Sequence, residues 1–442
     1  MSNKVHRRRF MHTTAATIGA GYFAAAGLQA QESKSPNEKI RFGCIGVGGK
    51  GSSDSDDAGR RGDVVAICDV DDKTLGTGSK RFEGAKTYYD FRKMLEENAK
   101  NIDAVTVSTP DHTHAPAALM AMRMGMHCFC QKPLAHSIYE TRLMGKVARE
   151  KKLATQMGNQ GTAESGLRHA AALLKKGILG NVHEVHIWTN RPIWPQGGER
   201  PPAKEPPERL HWDEWLSAAK ERPYADGYHT FAWRGWWDFG TGALGDMACH
   251  TVNMPFMGLG LRDPISVQAT TSGHNGDSYP KRSVITFEFG ATEARPALTF
   301  TWYDGGTRPP KELLEGINLK GSGALIVGEK GKIYSPDDYG ADFTVLGGPE
   351  KEAADYPKSP GHFDEWTRAI KGGEQAMSNF PDYAGPLAET ILLGNLAVWA
   401  APEKDEPGKK IEWDAKELKA KNAPEVAHVI KPEYRKGYTL DV

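Results

Sequence analysis

The residues whose types and spacing could do chemistry begin with Gly46-Val47-Gly48-Gly49-Lys50-Gly51, a G-x-G-x-x-G run. In such a run the first glycine makes a tight turn and the second lets the backbone approach a pyrophosphate. The third lets a helix pack closely on a strand, so that the helix N-terminus faces the phosphates. Asp69 lies 23 residues after Gly46, where an acid hydrogen-bonds a ribose diol. Its charge repels a 2′-phosphate, so NAD is expected, with NADP the second choice. Asp71 and Asp72 are rival carboxylates, or simply a solvated helix start. Thr109-Pro110-Asp111-His112-Thr113-His114 holds an H-x-H pair. No acidic or cysteine partners stand out around it, so no metal is expected. His114 is read as a wall of the cofactor pocket or as a packing residue.

The elements that must position these residues alternate. Lys39–Ile45, Asp63–Cys68, Ile102–Ser108, Met126–Cys130 and Leu153–Met157 read as apolar strands, with helices at Ala115–Met124 and His136–Glu150. Strands separated by helices imply a doubly wound parallel sheet, which binds ligands beyond the carboxyl ends of its strands. Gly46, Asp69, Thr109, Pro110, His114, Lys132 and Pro133 all fall at those ends. Further on, Val182–Thr189, Ser266–Ser272, Ser283–Phe289, Pro296–Tyr303 and Gly323–Val327 read as strands with few helices between them, which fits an open antiparallel sheet. Residues 305–320 and 335–360 read as loops.

Lys+Arg 56 against Asp+Glu 56 over 442 residues gives a neutral total with no basic block, which argues against nucleic acid as a partner. Residues 1–30 hold Lys4, Arg7, Arg8 and Arg9, no acid, then a short Ala/Gly/Thr-rich apolar run ending in Leu28-Gln29-Ala30. Without them the chain has four more acidic than basic residues. A charged start, a short apolar stretch and a small residue at its end make an export signal. Arg7-Arg8-x-Phe10-Met11 resembles the twin-arginine motif, with His6 where Ser or Thr is usual and His12 at the later Lys position. The expectation is a periplasmic, exported protein with no membrane span, since no second apolar run approaches the length of one. The domain reading is a signal at 1–30, a linker at 31–38, an NAD-binding domain at 39–158, a substrate and oligomerisation domain at 159–400 and a surface tail at 401–442. Five cysteines exclude a disulfide scaffold. Cys44, Cys68, Cys128 and Cys130 fall on expected buried strands, and Cys249 stands apart.

The Gly-rich loop, the acid-ended second strand, the Ser108-Thr109-Pro110-Asp111-His112-Thr113-His114 stretch and Gln131-Lys132-Pro133 resemble the Gfo/Idh/MocA oxidoreductases. The resemblance covers roughly residues 39–400. It implies an N-terminal Rossmann domain joined to a C-terminal α/β domain with a large, mostly antiparallel open sheet, and a homodimer or homotetramer. The family tripeptide is E-K-P; Gln131 replaces the Glu and removes a negative neighbour of Lys132. The family's second motif, a glycine-rich stretch ending D-x-x-x-H, is matched by Gly240–Gly245, Asp246 and His250, with Asn253 where Asp is common. Asp246 and His250, four apart on a helix, share a face. Gly361–Gly373 resembles the helix that returns the chain to the first domain.

What the resemblance implies is oxidation or reduction of a CH–OH group on a sugar, glycoside or polyol. Its site is Lys132, Asp246 and His250, over NAD held by Gly46, Gly48, Gly49, Gly51, Asp69, Thr109, Pro110, His114, Lys132 and Gln160, with tight binding of the cofactor left open. His250 would take the hydroxyl proton and Lys132 would face the developing alkoxide. One branch of the family works instead as a redox-neutral glycosidase, and another only senses sugar. Asn159, Gln160 and Arg168 are candidates for sugar hydroxyls. Seven of eleven tryptophans lie between Trp188 and Trp237. Trp236 and Trp237 are read as a sugar platform, with packing of a long insertion or a subunit interface as the alternative.

Overall fold

The structure, a computed structural model, describes residues 39–350, 353–438 and 440. The expected export signal and the linker at 31–38 lie outside the described residues. Strands β1 (Ile40–Ile45), β2 (Gly62–Cys68), β3 (Lys86–Tyr88), β4 (Ala104–Val107), β5 (His127–Cys130) and β6 (Thr155–Met157) form a six-stranded sheet in the order β3-β2-β1-β4-β5-β6. All its pairings are parallel, with Ile45 level with Cys68 and Val107 at the carboxyl ends. Helices α1 (Lys50–Gly59), α2 (Asp72–Arg81), α3 (Phe91–Glu97), α4 (Asp111–Arg123) and α5 (Ile138–Glu150) connect the strands. The order reverses beside β1, which opens a ligand crevice between β1 and β4.

Helix α4 starts at Asp111, not after the His pair. Pro110 precedes it with an extended backbone, and Asp111 sits in the first turn, where a carboxylate complements the helix dipole. His112 and His114 are therefore buried helix residues.

After α6 (Ser165–Lys175), the chain builds a nine-stranded sheet. Its strands are β7 (Val182–Trp188), β8 (Ser266–Thr271), β9 (Ser283–Phe289), β10 (Leu298–Tyr303), β11 (Gly323–Gly328), β12 (Gly331–Ser335), β13 (Thr344–Leu346), β14 (Ile411–Asp414) and β15 (Lys419–Ala420). The order is β13-β12-β11-β7-β10-β9-β8-β14-β15, antiparallel except for the β7–β10 pair. The expected α/β class with a parallel and a mostly antiparallel sheet is the class observed.

Between β7 and β8 the chain forms α7 (Trp212–Leu216), α8 (Gly242–Thr251) and α9 (Asn253–Leu259); later come α10 (His362–Ile370) and α11 (Gly385–Trp399). Helix α10 returns to the parallel sheet, where Phe363 and Trp366 join Phe42 and Phe129 in one core. Trp366 Nε1 donates to the Ala154 carbonyl at 3.0 Å. The residues after 400 are not an extended surface tail. Ile411 and Trp413 alternate inward as β14 and extend the second sheet, and Tyr438 packs on Phe91 of the first domain. All five cysteines are buried and free, Cys249 included, whose thiol burial pushes up to about 12. Among the described residues no helix is long and apolar enough to cross a membrane, and no His/Cys/Asp/Glu group could hold a metal ion.

Candidate active site

The glycine run forms a cradle. Gly46 turns with φ +77°, and a Cβ there would lie 2.4 Å from the Ser108 carbonyl oxygen; one at Gly51 would lie 2.1 Å from the Gly46 oxygen. Those contacts admit only glycine. Gly49 faces open space with φ +49°, and the N-terminus of α1 carries no side-chain cap. Uncapped N–H groups beside an open glycine suit a pyrophosphate. At the end of β2, Asp69 accepts the Val47 N–H and the Asp71 N–H, each at 3.0 Å. Asp71 is not a rival, because it caps α2 through the N–H groups of Lys73 and Thr74 and pairs with Arg209 at 3.0 Å. Asp72 faces His211 at 3.1 Å.

These groups line a cavity of about 560 Å³. It runs from Asp69 and Tyr89 past Gly46–Lys50, Thr109 and Pro110 to Lys132 and Arg234. The cradle, the acid and this volume fit a dinucleotide held by Gly46, Gly48, Gly49, Asp69, Thr109, Pro110 and Lys132.

At the inner end, the Lys132 ammonium donates to the Asp246 carboxylate at 2.8 Å and to the Asp246 carbonyl at 2.7 Å. Arg234 Nε donates to the same carboxylate oxygen at 3.0 Å. Burial alone would raise the Asp246 carboxyl; the two cations overcome that and hold it well below the usual carboxylate range. Helix α8 brings Asp246 here because its start is made of glycines. Gly242 takes φ +66° under the Tyr279 ring, and a Cβ at Gly245 would lie 2.0 Å from Thr241 Oγ1. Thr241 Oγ1 in turn donates to Asp111 of α4 at 2.6 Å, tying the two domains together at the site.

His250 lies one turn beyond Asp246, 5% exposed, with its Nδ1 buried and without a hydrogen-bond partner. Burial first, then the Lys132 charge, pushes its pKa down to about 3, so the imidazole is neutral. Helix α8 thus presents a carboxylate bound to two cations and, one turn on, a free neutral nitrogen.

Several expected residues sit elsewhere. His114 does not line the cavity: its ring nitrogens lie 2.8 Å from the Pro133 and Thr109 carbonyls, so it braces the two loops that do. Gln160 and Gly51 do not line it either. Gly51 acts by letting α1 approach the loop, and Gln160 opens a short helical turn, Gln160–Ala163. Arg168 is taken by Glu365 at 2.5 Å, both 3% exposed, so it faces no substrate. Asn159 is fully buried; its Oδ1 takes the Ser378 hydroxyl at 2.6 Å and its Nδ2 is unpartnered. Asn253 is likewise internal, donating to Thr162 Oγ1 at 2.8 Å.

Trp236 and Trp237 do not form the platform. Trp236 is packed edge-on against Tyr228 inside the insertion, and Trp237 stacks on Tyr279 at 3.7 Å. The tryptophans that reach the cofactor cavity are Trp215 and Trp233, and Arg234 lies over the Trp233 ring at 4.3 Å. Sequence reasoning also missed Lys50, Asp54, Arg234 and Tyr438. Arg234 inside Trp233-Arg234-Gly235-Trp236-Trp237 was the one visible signal, a cation set among aromatics.

The insertion roofs the cavity. Arg209 and His211 make backbone bonds of 2.9 Å to Asp72 and Val70, and the His211 ring stacks on Tyr89 at 3.7 Å. The C-terminal segment clamps the roof from outside: Arg435 donates to the Ser217 carbonyl at 2.9 Å, and Arg92 lies 4.0 Å over the Tyr438 ring.

A Rossmann domain with this cradle, coupled to a second domain of a mostly antiparallel sheet whose helix α8 supplies Asp246 and His250, defines a two-domain NAD-binding oxidoreductase fold. Residues 14–159 match the oxidoreductase family with an NAD-binding Rossmann fold, and residues 168–440 match its C-terminal alpha/beta domain. The chain belongs to the Gfo/Idh/MocA family. It is similar to a levoglucosan dehydrogenase of Pseudarthrobacter phenanthrenivorans, 23% identical over 188 residues, covering 42% of this chain and 40% of that protein. It is also similar to a glycosyl hydrolase family 109 protein of Shewanella putrefaciens, 27% identical over 208 residues, 41% and 45% of the two chains. The chain spans less than half the length of these curated relatives. Among solved structures, the WlbA dehydrogenase from Bordetella pertussis in complex with NADH and UDP-GlcNAcA is 19% identical, with TM-score 0.60 over 85% of this chain and 99% of that one. That likeness speaks for the fold.

Proposed function

We propose that the chain is an exported NAD-dependent oxidoreductase that oxidises or reduces a CH–OH carbon of a sugar, glycoside or polyol. The observation that carries this reading is the Lys132–Asp246–Arg234 cluster at the inner end of the cofactor cavity, with the free Nδ1 of His250 one turn away. Bound NAD supplies the hydride acceptor. The Lys132 ammonium faces the hydroxyl oxygen and stabilises the negative charge that develops as its proton leaves. Asp246 and Arg234 hold Lys132 in place. The proton passes to His250 Nδ1, which the protein keeps unprotonated and unpartnered. In the reverse direction the same atoms return it.

The roof over the cavity supports retention of NAD through turnover, and so favours a second reading. With NAD retained by the Gly46–Gly49 cradle and Asp69, Lys132 and His250 would serve a closed cycle in which a sugar carbon gives up its hydride, an aglycone is eliminated and the same hydride is returned. One experiment separates the two. The purified chain is denatured and its released NAD measured, then sugars, polyols and glycosides are supplied with and without added NAD. Net NADH formation supports the dehydrogenase, and aglycone release without net NADH supports the redox-neutral reading. Lys132→Ala and His250→Ala are each expected to lower kcat/KM at least 100-fold; full activity in both removes this site. Export by the twin-arginine route and a homodimer or homotetramer complete the proposal. Arg7, Arg8 and Arg9 exchanged for Lys should hold the chain in the cytoplasm, and size-exclusion chromatography reads the assembly.

A further inference from the structure

One side chain from a distant loop closes on His250. The Tyr339 ring meets the His250 ring at 79°, with 5.0 Å between centroids. Tyr339 is nevertheless 38% exposed, one of the few large hydrophobic side chains among the described residues to reach solvent. The loop that presents it, between β12 and β13, is firmly seated. The Asp337 carboxylate accepts the N–H groups of Tyr339 at 2.7 Å, Ala341 at 3.2 Å and Asp342 at 3.2 Å. On its inner side the loop lies against two glycines. A Cβ at Gly161 would lie 2.8 Å from the Tyr339 carbonyl oxygen, and one at Gly166 would lie 1.9 Å from the Ala341 oxygen. The ring therefore has a set place, partly in solvent, beside the imidazole.

We infer that Tyr339 is a substrate-binding, specificity-determining residue. Its ring is the wall against which the C–H face of a cyclic polyhydroxy substrate packs while the reacting carbinol lies between Lys132 and His250. This rests on the functional reading above and names the substrate class more closely. An aromatic ring offers a flat apolar face with a polar hydroxyl at its rim, which matches the C–H face and equatorial hydroxyls of a six-membered polyol ring. A flexible open-chain polyol has no such face. The tryptophans first read as the platform are committed elsewhere, Trp236 to the roof and Trp237 to Tyr279. The aromatic ring that meets the buried His250 imidazole is that of Tyr339.

The test uses the full chain with NAD and follows NADH, with myo-inositol and levoglucosan as cyclic probes and sorbitol as the open-chain probe. Tyr339→Ala is expected to raise KM for the cyclic probe by roughly tenfold, the upper range for one aromatic contact. The KM for NAD, the KM for sorbitol and the acid limb of the pH profile should stay unchanged. Tyr339→Phe should stay within about twofold of wild type. An unchanged KM for the cyclic probes overturns the inference. So does an equal rise for sorbitol, or a shift in the KM for NAD, since either marks a structural effect. Wild-type chain that forms NADH from no polyol, cyclic or open, overturns the functional reading and this one with it.

Discussion

Exchanging Gln131 for Glu tests how the site distributes its charges. Gln131 Nε2 donates to Asp54 Oδ2 at 2.8 Å, and its Oε1 takes the Lys132 backbone N–H at 3.3 Å. Asp54, on α1 and 1% exposed, also accepts the Ser108 hydroxyl at 2.8 Å and pairs with Lys50 Nζ. The negative charge that the family tripeptide carries beside the lysine is thus supplied here from α1, and the neutral amide is its complement. Gln131→Glu preserves shape but replaces the donor by a second carboxylate in hydrogen-bond contact with the first. At about 4 Å and an effective dielectric near 20, the repulsion is about 4 kcal/mol. One carboxyl relieves it by keeping a proton, which raises its pKa by roughly 3 units. A carboxyl raised above its unfolded value leaves stability intact below about pH 4 and removes it as pH climbs through the raised value, near 7. The variant should therefore match wild type at acid pH and lose roughly 4 kcal/mol at pH 8. With about 2 cal/mol/K of unfolding entropy per residue over some 400 residues, that is a fall of roughly 5 °C in Tm. Adding Asp54→Asn restores a donor–acceptor pair and should recover most of the loss. Thermal unfolding across this pH range decides it: equal Tm values at pH 8, or a double variant no more stable than the single one, refute the reasoning.

Two further outcomes follow from burial. His112, His114 and His362 are pushed down to about 4 and His250 to about 3, in each case first by burial. Unfolded histidine takes a proton near 6.5, so the unfolded chain binds more protons between about pH 6.5 and 4, and stability falls as pH drops through that window. Asp111 and Asp304, raised to about 6, and Glu140, raised to about 7, all by burial, act oppositely, losing stability as pH rises from about 4 to those values. The histidine shifts are more numerous and larger, so the urea midpoint should be lower at pH 4.5 than at pH 7, and an equal or higher midpoint contradicts this. Trp236→Ala should cost about 3–5 kcal/mol of stability and leave substrate KM unchanged, because Trp236 is a buried roof residue. A changed KM with an unchanged Tm would return Trp236 to the substrate site.

The parallel sheet was legible because each strand is a short apolar run followed by residues of turn or helix-start type, and the glycine run could be placed at the end of β1. Spacing put Asp246 and His250 on one helix face, and the family motif singled them out; Arg234 stood out only as a cation among aromatics, and nothing local says that it will share the carboxylate of Asp246. Helix α11 escaped notice because Leu387, Ile391, Leu392, Leu393, Leu396 and Val398 are apolar around the whole circumference, and a periodic stripe exists only when one face meets water. Short edge strands such as Lys86–Tyr88 carry too few residues for alternation to show. His112-x-His114 was misplaced for a related reason. Its polar letters read as a loop, while tertiary burial makes it the first turn of α4, where each ring meets two carbonyls.

The tryptophan cluster shows how far composition can mislead about position. Indole faces suit sugars, but they equally suit a large irregular segment that must bury itself without regular structure, and the latter use accounts for Trp212, Trp215, Trp233 and Trp236. What that segment does is set by contacts distant in sequence. Arg209 reaches Asp71 at 3.0 Å, and the Leu210 backbone bridges to the same residue. Asp71 lies two residues beyond Asp69, in the turn that faces the ribose position. Any motion that admits or releases a dinucleotide past this turn must therefore part a half-exposed ion pair, a backbone bridge and the Tyr89–His211 stack. Breaking several such contacts together slows release far more than it weakens the bound state, because each is remade once the cofactor is in place. A cofactor whose release is slower than turnover is reset in place by a second substrate, whereas one that leaves faster gives net NADH. The roof thus bears directly on whether the chemistry at Lys132 is a net oxidation or one half of a closed cycle.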